Sequence, residues 1–511
     1  MSRLSLSLSK PCVALLAAAA ALGGLRAQLP YGHGNPGSSG AVPRLTADQG
    51  HIGNLAHAYA LDRGRPLAAA ALLVGLEPAA ASVFGVPVWI GLQPGQFLLA
   101  LPLTLDGSGA GQVANPLGPT AQSLVGLRLY LQAAVIDQQG GVPFLAVSNG
   151  LVDEIVDRPL LAVGGEIGAT VSDPLTLLDP RTLAIVHQST PPNADGLSGA
   201  VFAAGGTRLY AASASRSSIE AADTTVIPPS WSTFANLTAP ALGIAYDPRR
   251  RLLYTVSGNQ SQAKDLVVFD ADPQSPGYGT ELDRAVAITT LDTARQWQLA
   301  PAGDRIAIYS GTAANELMIV DVDPAGTGYL QVIDRAVVPG LQPPLNALSR
   351  VRVAADASMA YALLSVGFFT VPSGLHRYDV RTGQWRDHNA LAPGIQAIGP
   401  SSSPPGPMVT SSDLAFARDE SFAVLTEYAG IRRIDLDRDD PAAWNITAIP
   451  GSWTPNTSFG HTVTATGDVL LFASGPTATD SVATLVDPFS GQVRASAQLI
   501  GVFSRGVLAE R

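Results

Sequence analysis

The sequence predicts an all-β protein. Of its 511 residues, 46% are hydrophobic and only 14% are charged, while Gly (51) and Pro (39) are abundant. This composition is typical of an ordered, turn-rich β protein and excludes a disordered chain. Alternating strand patterns and an internal repeat point to the same class. The chain also exceeds the usual size of one hydrophobic core, so we expect several domains or one large repetitive domain.

Residues 1–27 are predicted to be a secretory signal peptide. Arg3 and Lys10 precede the apolar run "VALLAAAAAL" at residues 13–22, and Ala27 supplies a small residue before a cleavage point. A membrane anchor needs roughly 20 apolar residues, and this run is about half that long. We therefore expect a secreted or periplasmic protein with no membrane span after cleavage.

The mature chain is expected to be free of cysteine and strongly acidic. Cys12 is the only cysteine, so a chain cleaved after Ala27 has no thiol, disulfide or cysteine-ligated metal site. Cleavage leaves 28 basic and 41 acidic residues, a formal charge of about −13, which excludes nucleic acid as an expected partner. The basic residues are nearly all arginine, which indicates a GC-rich bacterial genome. We therefore interpret the sequons at Asn236, Asn445 and Asn456 as chance matches.

Residues 28–156 are predicted to form a small antiparallel β-sandwich. In "GLRLYLQAAVID" one face of a strand carries only apolar side chains: Leu127, Leu129, Leu131, Ala133 and Val135. The opposite face carries Arg128, Tyr130 and Gln132. "LALPLTLDGSGAG" alternates in the same way before a Gly-rich turn. Several such strands, separated by Gly and Pro turns, are typical of a sandwich.

Residues 159–511 repeat a four-strand unit. One half of the unit is an apolar hairpin, as in "AVFAAGGTRLYAA", "GIAYDPRRRLLYTV" and "LAFARDESFAVLT". The other half is a second hairpin, as in "LTLLDPRTLAIV" and "LHRYDVRTGQW". Four strands in roughly 45 to 60 residues are the signature of a β-propeller blade.

Counting the units predicts seven blades. Six units are complete, and the hairpin near Leu175 to Val186 lacks its first strand. The C-terminal "RGVLAER" reads like the missing strand. A seventh blade assembled from both ends of the domain closes the ring and removes an exposed sheet edge.

Three segments carry a resemblance to a known family: "TRLYAAS" at residues 207–213, "RLLYTVSGNQ" at 251–260 and the "D-x-x-T-G" turn at 379–383. They resemble the YVTN-type, WD40-like repeats of secreted bacterial seven-bladed propellers and, more distantly, lactonase-type propellers. The resemblance covers about residues 159–511 and implies the propeller fold. It does not fix an activity, because propellers host many unrelated functions.

An acidic hairpin occurs twice, as "LVVFDADPQSPGYGTELDRAV" at residues 266–286 and "LMIVDVDPAGTGYLQVIDRAV" at 317–337. A calcium loop needs oxygen ligands at positions 1, 3 and 5, a Gly at 6 and a Glu at 12. The first copy has Gln274 and Ser275 at positions 5 and 6, and the second has Val332 at 12. The shared residues are turn-forming residues, so we predict structural hairpins, with a weak surface Ca²⁺ site as the alternative.

Other motifs are incomplete. "GAGQVA" at residues 109–114 matches G-x-G-x-x-A but opens no helix, so we interpret it as a turn. The sequence has no G-x-S-x-G, H-E-x-x-H or Walker motif. His33, His51 and His57 lie close in sequence, but their scatter through a Gly-rich segment favours no metal site. We predict no cofactor.

A binding site is predicted at one mouth of the propeller channel, where the innermost strands begin. Counting six residues back from each turn gives two apolar positions, Gly199 and Leu242, and four polar ones, and the last strand adds another polar position. The polar residues are Gln296, Arg350, Asp413, His461 and Arg505. Together they suit a small anionic or hydroxylated ligand, with His461 as the one candidate for proton transfer near neutral pH. The alternative is a wet channel mouth without a ligand, or a register slip that turns a side chain to the other face.

Two functions remain open at this point. The first is a secreted, non-catalytic protein whose propeller binds a small ligand or a protein or carbohydrate partner, while the sandwich displays or attaches it. The second is a lactonase-like hydrolase or lyase with its site at the channel mouth. The lack of a catalytic signature favours the first. A divalent metal in the channel, or turnover of lactones, would favour the second.

Overall fold

The all-β class is confirmed. The computed structural model describes residues 29–31, 34–47, 50–93, 95–164, 174–192, 197–203, 206–259, 262–289, 297–302, 304–310, 316–337, 346–353, 359–366, 374–379, 384–386, 413–417, 421–427, 430–436, 445–451, 458–464, 467–474, 480–499 and 507–510, some by their backbone alone. Within these ranges the regular elements are 38 β-strands and one 3₁₀ turn, Gln122–Leu124. No helix in them is long and apolar enough to cross a membrane.

The N-terminal module contains ten strands: β1 (Leu29–Tyr31), β2 (Arg44–Ala47), β3 (Ala58–Asp62), β4 (Ala69–Gly75), β5 (Pro78–Val83), β6 (Val86–Ile90), β7 (Leu98–Thr104), β8 (Gly111–Ala114), β9 (Arg128–Gln139) and β10 (Val142–Glu154). They form a five-stranded sheet in the order β1-β10-β9-β4-β7 and a three-stranded sheet in the order β2-β3-β8, both antiparallel. Strands β5 and β6 form a separate hairpin. The segment at 111–114, predicted to be a turn, is therefore strand β8.

The two sheets share one apolar core. Leu45 and Leu61 of the smaller sheet pack with Leu72, Leu131 and Val135 of the larger one. The predicted apolar face of β9 is confirmed by this packing. Its opposite face is buried as well, because the β5–β6 hairpin crosses it and the second cluster of the module forms there: Tyr31, Trp89, Ile90, Tyr130 and Val152.

Seven four-stranded antiparallel sheets follow in the described part of the chain. The first comprises β11 (Leu161–Val163), β12 (Leu175–Leu178) and β13 (Ile185–Ser189), together with the C-terminal strand β38 (Val507–Glu510). The others are β14 (Leu197–Ala203), β15 (Arg208–Ser213), β16 (Ser218–Asp223), β17 (Ser230–Asn236); β18 (Ala241–Asp247), β19 (Leu252–Ser257), β20 (Asp265–Asp270), β21 (Glu281–Ala285); β22 (Trp297–Ala302), β23 (Arg305–Ser310), β24 (Glu316–Asp321), β25 (Val332–Val337); β26 (Asn346–Val353), β27 (Met359–Val366), β28 (Gly374–Asp379), β29 (Gln384–Arg386); β30 (Asp413–Phe416), β31 (Phe422–Glu427), β32 (Gly430–Asp435), β33 (Asn445–Ala448); and β34 (Ser458–Val463), β35 (Val469–Ser474), β36 (Ser481–Val486), β37 (Val493–Leu499).

The sheets are arranged as in a β-propeller. Six of the sheets are meanders of four consecutive strands, and the first combines the meander β11-β12-β13 with β38. The innermost strand of each sheet, which we call its first strand, contacts that of the next sheet from β38 to β14 and onwards to β34. Apolar clusters join neighbouring sheets, and one of them joins the last sheet to the first through Phe472 and Leu485 on one side and Leu161 and Val163 on the other. The core therefore lies between the sheets.

The C-terminal strand completes the first sheet. Strand β38 pairs with β11, with Ala162 opposite Ala509 and Leu161 opposite Glu510, and β11 in turn pairs with β12. The C-terminal strand therefore lies in the same sheet as the hairpin near Leu175, as predicted, with β11 between them.

The meander gives the propeller two distinct ends. Turns between the first and second strands, and between the third and fourth, lie at one end, which we call the turn face. Loops between the second and third strands lie at the other end, together with the beginnings of the first strands, and we call this end the loop face. Of the predicted binding residues, Arg350, Asp413 and His461 belong to first strands.

Candidate functional site

Three of the five predicted binding residues lie in described strands. Asp413 is the first residue of β30, as predicted, whereas Arg350 is the fifth residue of β26 and His461 the fourth of β34. The structure describes only the backbone of these three. Gln296 and Arg505 lie outside the described residues. The site therefore stays a prediction, and two of its members lie further along their strands than the mouth of the channel.

The register of the first strands shows that the predicted positions are not all equivalent. Four of these strands contain a bulge near their start, and the residue after each bulge pairs with the second strand at an equivalent place: Gly199, Gly243, Arg350 and Gly460. The predicted positions Leu242 and His461 are each displaced by one residue from this set. The two positions differ from the other two because the turn centres used for the count lie at different distances from the ends of the first strands.

On the turn face, Arg128 of β9 joins the N-terminal module to the propeller. Its guanidinium donates to the hydroxyl of Tyr246 at 2.7 Å, to the carbonyl of Pro248 at 3.0 Å and to the Glu154 carboxylate at 2.8 Å. Arg128 is buried. Burial works against its charge, but the Glu154 carboxylate and Tyr246 raise the pKa of Arg128, so the group stays charged.

Two further contacts join the same surfaces. The guanidinium carbon of Arg249 lies 5.7 Å from the ring centroid of Tyr31, within the range of a cation–π interaction. Arg181, in the turn between β12 and β13, donates to Nε2 of His51 at 3.1 Å. These described contacts all involve the turn face, so the N-terminal module is docked there.

Charged side chains on the turn face are paired with one another. Arg250 bonds Asp247 at 2.9 Å and also reaches Asp304, which Arg249 contacts too. Burial raises the pKa of Asp247, and the neighbouring Arg250 opposes that shift. Because Asp304 follows β22 and Asp247 ends β18, these ion pairs connect two adjacent sheets. Their role is structural.

The N-terminal module encloses a buried cluster around His57. Its Nε2 lies 3.2 Å from the Asp153 carboxylate, which also accepts a hydrogen bond from the Tyr59 hydroxyl at 2.6 Å. Asn115 donates to that hydroxyl at 3.0 Å. Imidazole, carboxylate and phenol are groups used in acid–base catalysis, but the side chains of His57 and Asp153 are both 0% exposed. No substrate reaches them in this conformation, so we interpret the cluster as a structural network.

The histidines do not converge on a metal site in the described part of the chain. His51 and His57 are each engaged in hydrogen bonds to backbone carbonyls, of Ile52 and Asn115 respectively. His33 lies outside the described residues. Among the described residues no group of three or more His, Cys, Asp and Glu side chains is arranged to hold a metal ion.

The two acidic hairpins form the same turn. Asp270 accepts from the amide of Asp272 at 3.0 Å, and Asp321 accepts from the amide of Asp323 at 2.9 Å. In both copies the residue nine positions after the first aspartate has a positive φ: +81° at Gly279 and +59° at Leu330. These aspartate carboxylates accept hydrogen bonds from amides of the turn, and Asp272 also forms an ion pair with Arg251 at 2.6 Å. This geometry supports the structural interpretation.

Comparison with known proteins identifies no family. No family model and no curated protein matches the chain. Solved structures with a similar shape include the periplasmic gluconolactonase of Pseudomonas aeruginosa, with 13% identity, a TM-score of 0.47 and coverage of 69% of this chain and 98% of that one. A hypothetical selenium-binding protein of Sulfolobus tokodaii gives 13%, 0.47, 67% and 90%, and a putative 6-phosphogluconolactonase of Bacteroides fragilis gives 12%, 0.43, 70% and 98%. These values carry no inference about function, and the propeller architecture rests on strand order and packing.

Proposed function

We propose that the protein is a secreted, non-catalytic binding protein in which the seven sheets act as the seven blades of a propeller. The N-terminal pair of sheets is the predicted β-sandwich and is held on the turn face. A small anionic or hydroxylated ligand binds from the loop face, in the channel. The observation that carries this proposal is the anchoring of Arg128 to Tyr246 and Pro248, because it assigns the turn face to the sandwich.

The chemistry of the first strands supports this ligand class. Arg350 and Asp413 belong to the neighbouring first strands β26 and β30, and His461 belongs to the next one, β34, one residue beyond the position equivalent to Arg350. A guanidinium binds carboxylate or phosphate oxygens in a bidentate manner, and a carboxylate accepts from ligand hydroxyls. A few convergent polar groups in a concave site are the usual way to fix a small ligand.

The proposal is tested by calorimetric titration with D-gluconate, an anion with several hydroxyl groups. We expect binding by the wild type, and a loss of affinity of about tenfold or more in Arg350→Ala. The matched control is Arg494→Ala, which removes a half-exposed arginine on β37 that is paired with Asp468 and Asp487. The control is expected to bind like the wild type.

Two results would overturn the proposal. Gluconate affinity that is the same in Arg350→Ala and the wild type removes the channel site. Hydrolysis of glucono-δ-lactone above its spontaneous rate, abolished in His461→Gln, makes the protein an enzyme. Export is tested separately, because a protein recovered from the medium or periplasm is expected to begin at Gln28.

A further inference from the structure

Two histidines of the N-terminal module have the same kind of contact at Nδ1. Nδ1 of His51 lies 2.9 Å from the carbonyl oxygen of Ile52, and Nδ1 of His57 lies 2.9 Å from that of Asn115. A carbonyl oxygen only accepts hydrogen bonds, so both Nδ1 atoms carry a hydrogen. The charge of each imidazole is therefore decided by the partner of its Nε2 atom.

The Nε2 partner is a donor at His51 and an acceptor at His57. Nε2 of His51 faces the guanidinium of Arg181 at 3.1 Å, and a guanidinium only donates, so His51 is neutral. Nε2 of His57 lies 3.2 Å from the Asp153 carboxylate. A bare nitrogen at this distance would place its lone pair against those of the carboxylate oxygen. A hydrogen on Nε2 removes that repulsion and makes His57 an imidazolium.

The neighbours of the pair keep Asp153 in the role of an ionised acceptor. The hydroxyl of Tyr59 donates to Asp153 at 2.6 Å, and Asn115 donates to the Tyr59 oxygen at 3.0 Å. Burial and the Asp153 carboxylate raise the pKa of Tyr59, so the phenol keeps its hydrogen. His51 is a further titratable neighbour, and in its neutral form it adds no charge.

Burial makes the pair hold its proton. The side chains of His57 and Asp153 are both fully buried. Imidazolium and carboxylate together have no net charge, whereas loss of the imidazolium proton leaves one uncompensated negative charge in the core. The folded pair therefore releases its proton at a higher pH than a histidine of the unfolded chain, whose ordinary pKa is about 6.5.

The pair connects the two sheets of the module beside the contacts that dock it. His57 directly precedes β3 of the smaller sheet, and Asp153 lies in β10 of the larger one. The residue after Asp153 is Glu154, which binds Arg128, and Arg128 in turn contacts the propeller. A change in the charge of the pair therefore acts on the junction of the sheets, next to the turn face.

We propose that His57 is a buried imidazolium and that its pair with Asp153 is a pH-sensitive link between the two sheets. Above about pH 6.5 the unfolded chain releases the histidine proton while the folded pair holds it, so the free energy of unfolding falls as the pH rises. The contact of His51 with Arg181 has the opposite sign, because it needs a neutral imidazole. The two histidines thus limit the stability of the module on both sides of this pH. The proposal is independent of the channel ligand.

¹⁵N NMR of the full-length protein labelled in histidine tests the charge of His57. At about pH 8, where a free imidazole is neutral, we expect both ring nitrogens of His57 to carry a hydrogen and His51 to show one bare nitrogen. In Asp153→Asn the new amide donates to Nε2, so His57 is expected to become neutral. The His57 signals are assigned by their absence from His57→Gln. A wild-type His57 with a bare Nε2 at this pH would overturn the proposal.

Urea denaturation at a series of pH values tests the link between the sheets. We expect the wild-type midpoint to fall from about pH 6.5 to about pH 9, and the Asp153→Asn midpoint to lack this fall. Asp157→Asn is the matched control, because Asp157 pairs with the exposed Arg158, and it is expected to decline like the wild type. An Asp153→Asn midpoint that falls as steeply as the wild type would overturn the proposal. Should Asp153→Asn not fold, the NMR spectrum of the wild type decides the charge of His57 alone.

Discussion

The Nη2 atom of Arg128, in the N-terminal module, donates a hydrogen bond of 2.7 Å to the hydroxyl of Tyr246, in the propeller. The two residues are 118 positions apart, and both are buried. A buried arginine keeps its charge only while its partners stay in place. The Glu154 carboxylate and the Pro248 carbonyl are the other two acceptors of the Arg128 guanidinium. These buried contacts fix the module to the turn face.

Loss of the Arg128 contacts should lower the free energy of unfolding. In Arg128→Ala the Glu154 carboxylate and the Tyr246 hydroxyl lose their partner inside the interface, so we expect the free energy of unfolding to fall by about 3 kcal/mol. Urea denaturation followed by tryptophan fluorescence measures this. Arg158→Ala, which removes an exposed ion pair with Asp157, is expected to cost less than about 1 kcal/mol. An equal fall in the free energy of unfolding of both variants would contradict the proposed role of Arg128.

A second contact between module and propeller should depend on pH. Nε2 of His51 accepts a hydrogen bond from Arg181 only while the imidazole is neutral. Burial lowers the pKa of His51 below its ordinary value of 6.5, and the charges of Arg181 and His57 lower it further. The unfolded chain then takes up the proton at a higher pH than the folded chain. The free energy of unfolding should therefore fall as the pH drops below 6.5 towards the folded-state pKa.

The pH dependence is isolated by substitution. His51→Gln is expected to flatten the decline of stability below pH 6.5, measured by urea denaturation at a series of pH values. If wild type and His51→Gln decline in parallel, His51 is not the group responsible.

The acidic hairpins should be insensitive to calcium. The carboxylates of Asp270 and Asp272 accept hydrogen bonds from backbone amides, and Asp272 also forms an ion pair with Arg251. These oxygens therefore already have partners in the folded protein that calcium would have to replace. We expect the melting temperature to be the same in EDTA and in about 10 mM CaCl₂. A rise of several degrees with calcium that disappears in Asp272→Asn would establish the alternative, a weak surface site.

Local patterns in the sequence predict much of the fold. The alternation around Leu131 predicts the buried face of β9, and the repeats predict the four-stranded sheets. The second face of β9 is buried by residues that are distant in the sequence. Trp89 of the β5–β6 hairpin shares an apolar cluster with Tyr130, and the Pro248 carbonyl accepts a hydrogen bond from Arg128. An alternating pattern shows that a strand has two faces, but it does not show which partner buries the polar one.

The candidate site is harder to predict, because a count from the turns depends on where each first strand ends. Counting back from the turns places Leu242 and His461 one residue away from the register that Gly199 and Arg350 share, because the turn centres lie at different distances from the ends of the first strands. The glycines after three of these bulges, Gly199, Gly243 and Gly460, are the signal in the sequence that marks the equivalent positions. Arg350 occupies the same place in β26.

The proposed channel site depends on closure of the ring, and one cross-link tests that closure. Ala162 of β11 and Ala509 of β38 are directly paired, at a spacing that suits a disulfide between antiparallel strands. Cys12 is the only natural cysteine and lies in the predicted signal peptide, so the exported double variant Ala162→Cys, Ala509→Cys has one possible pair. We predict an intramolecular disulfide in the monomer, seen by mass spectrometry, and a melting temperature above that of the reduced protein. Two thiols that stay reduced, or that cross-link only between chains, would contradict the closed propeller.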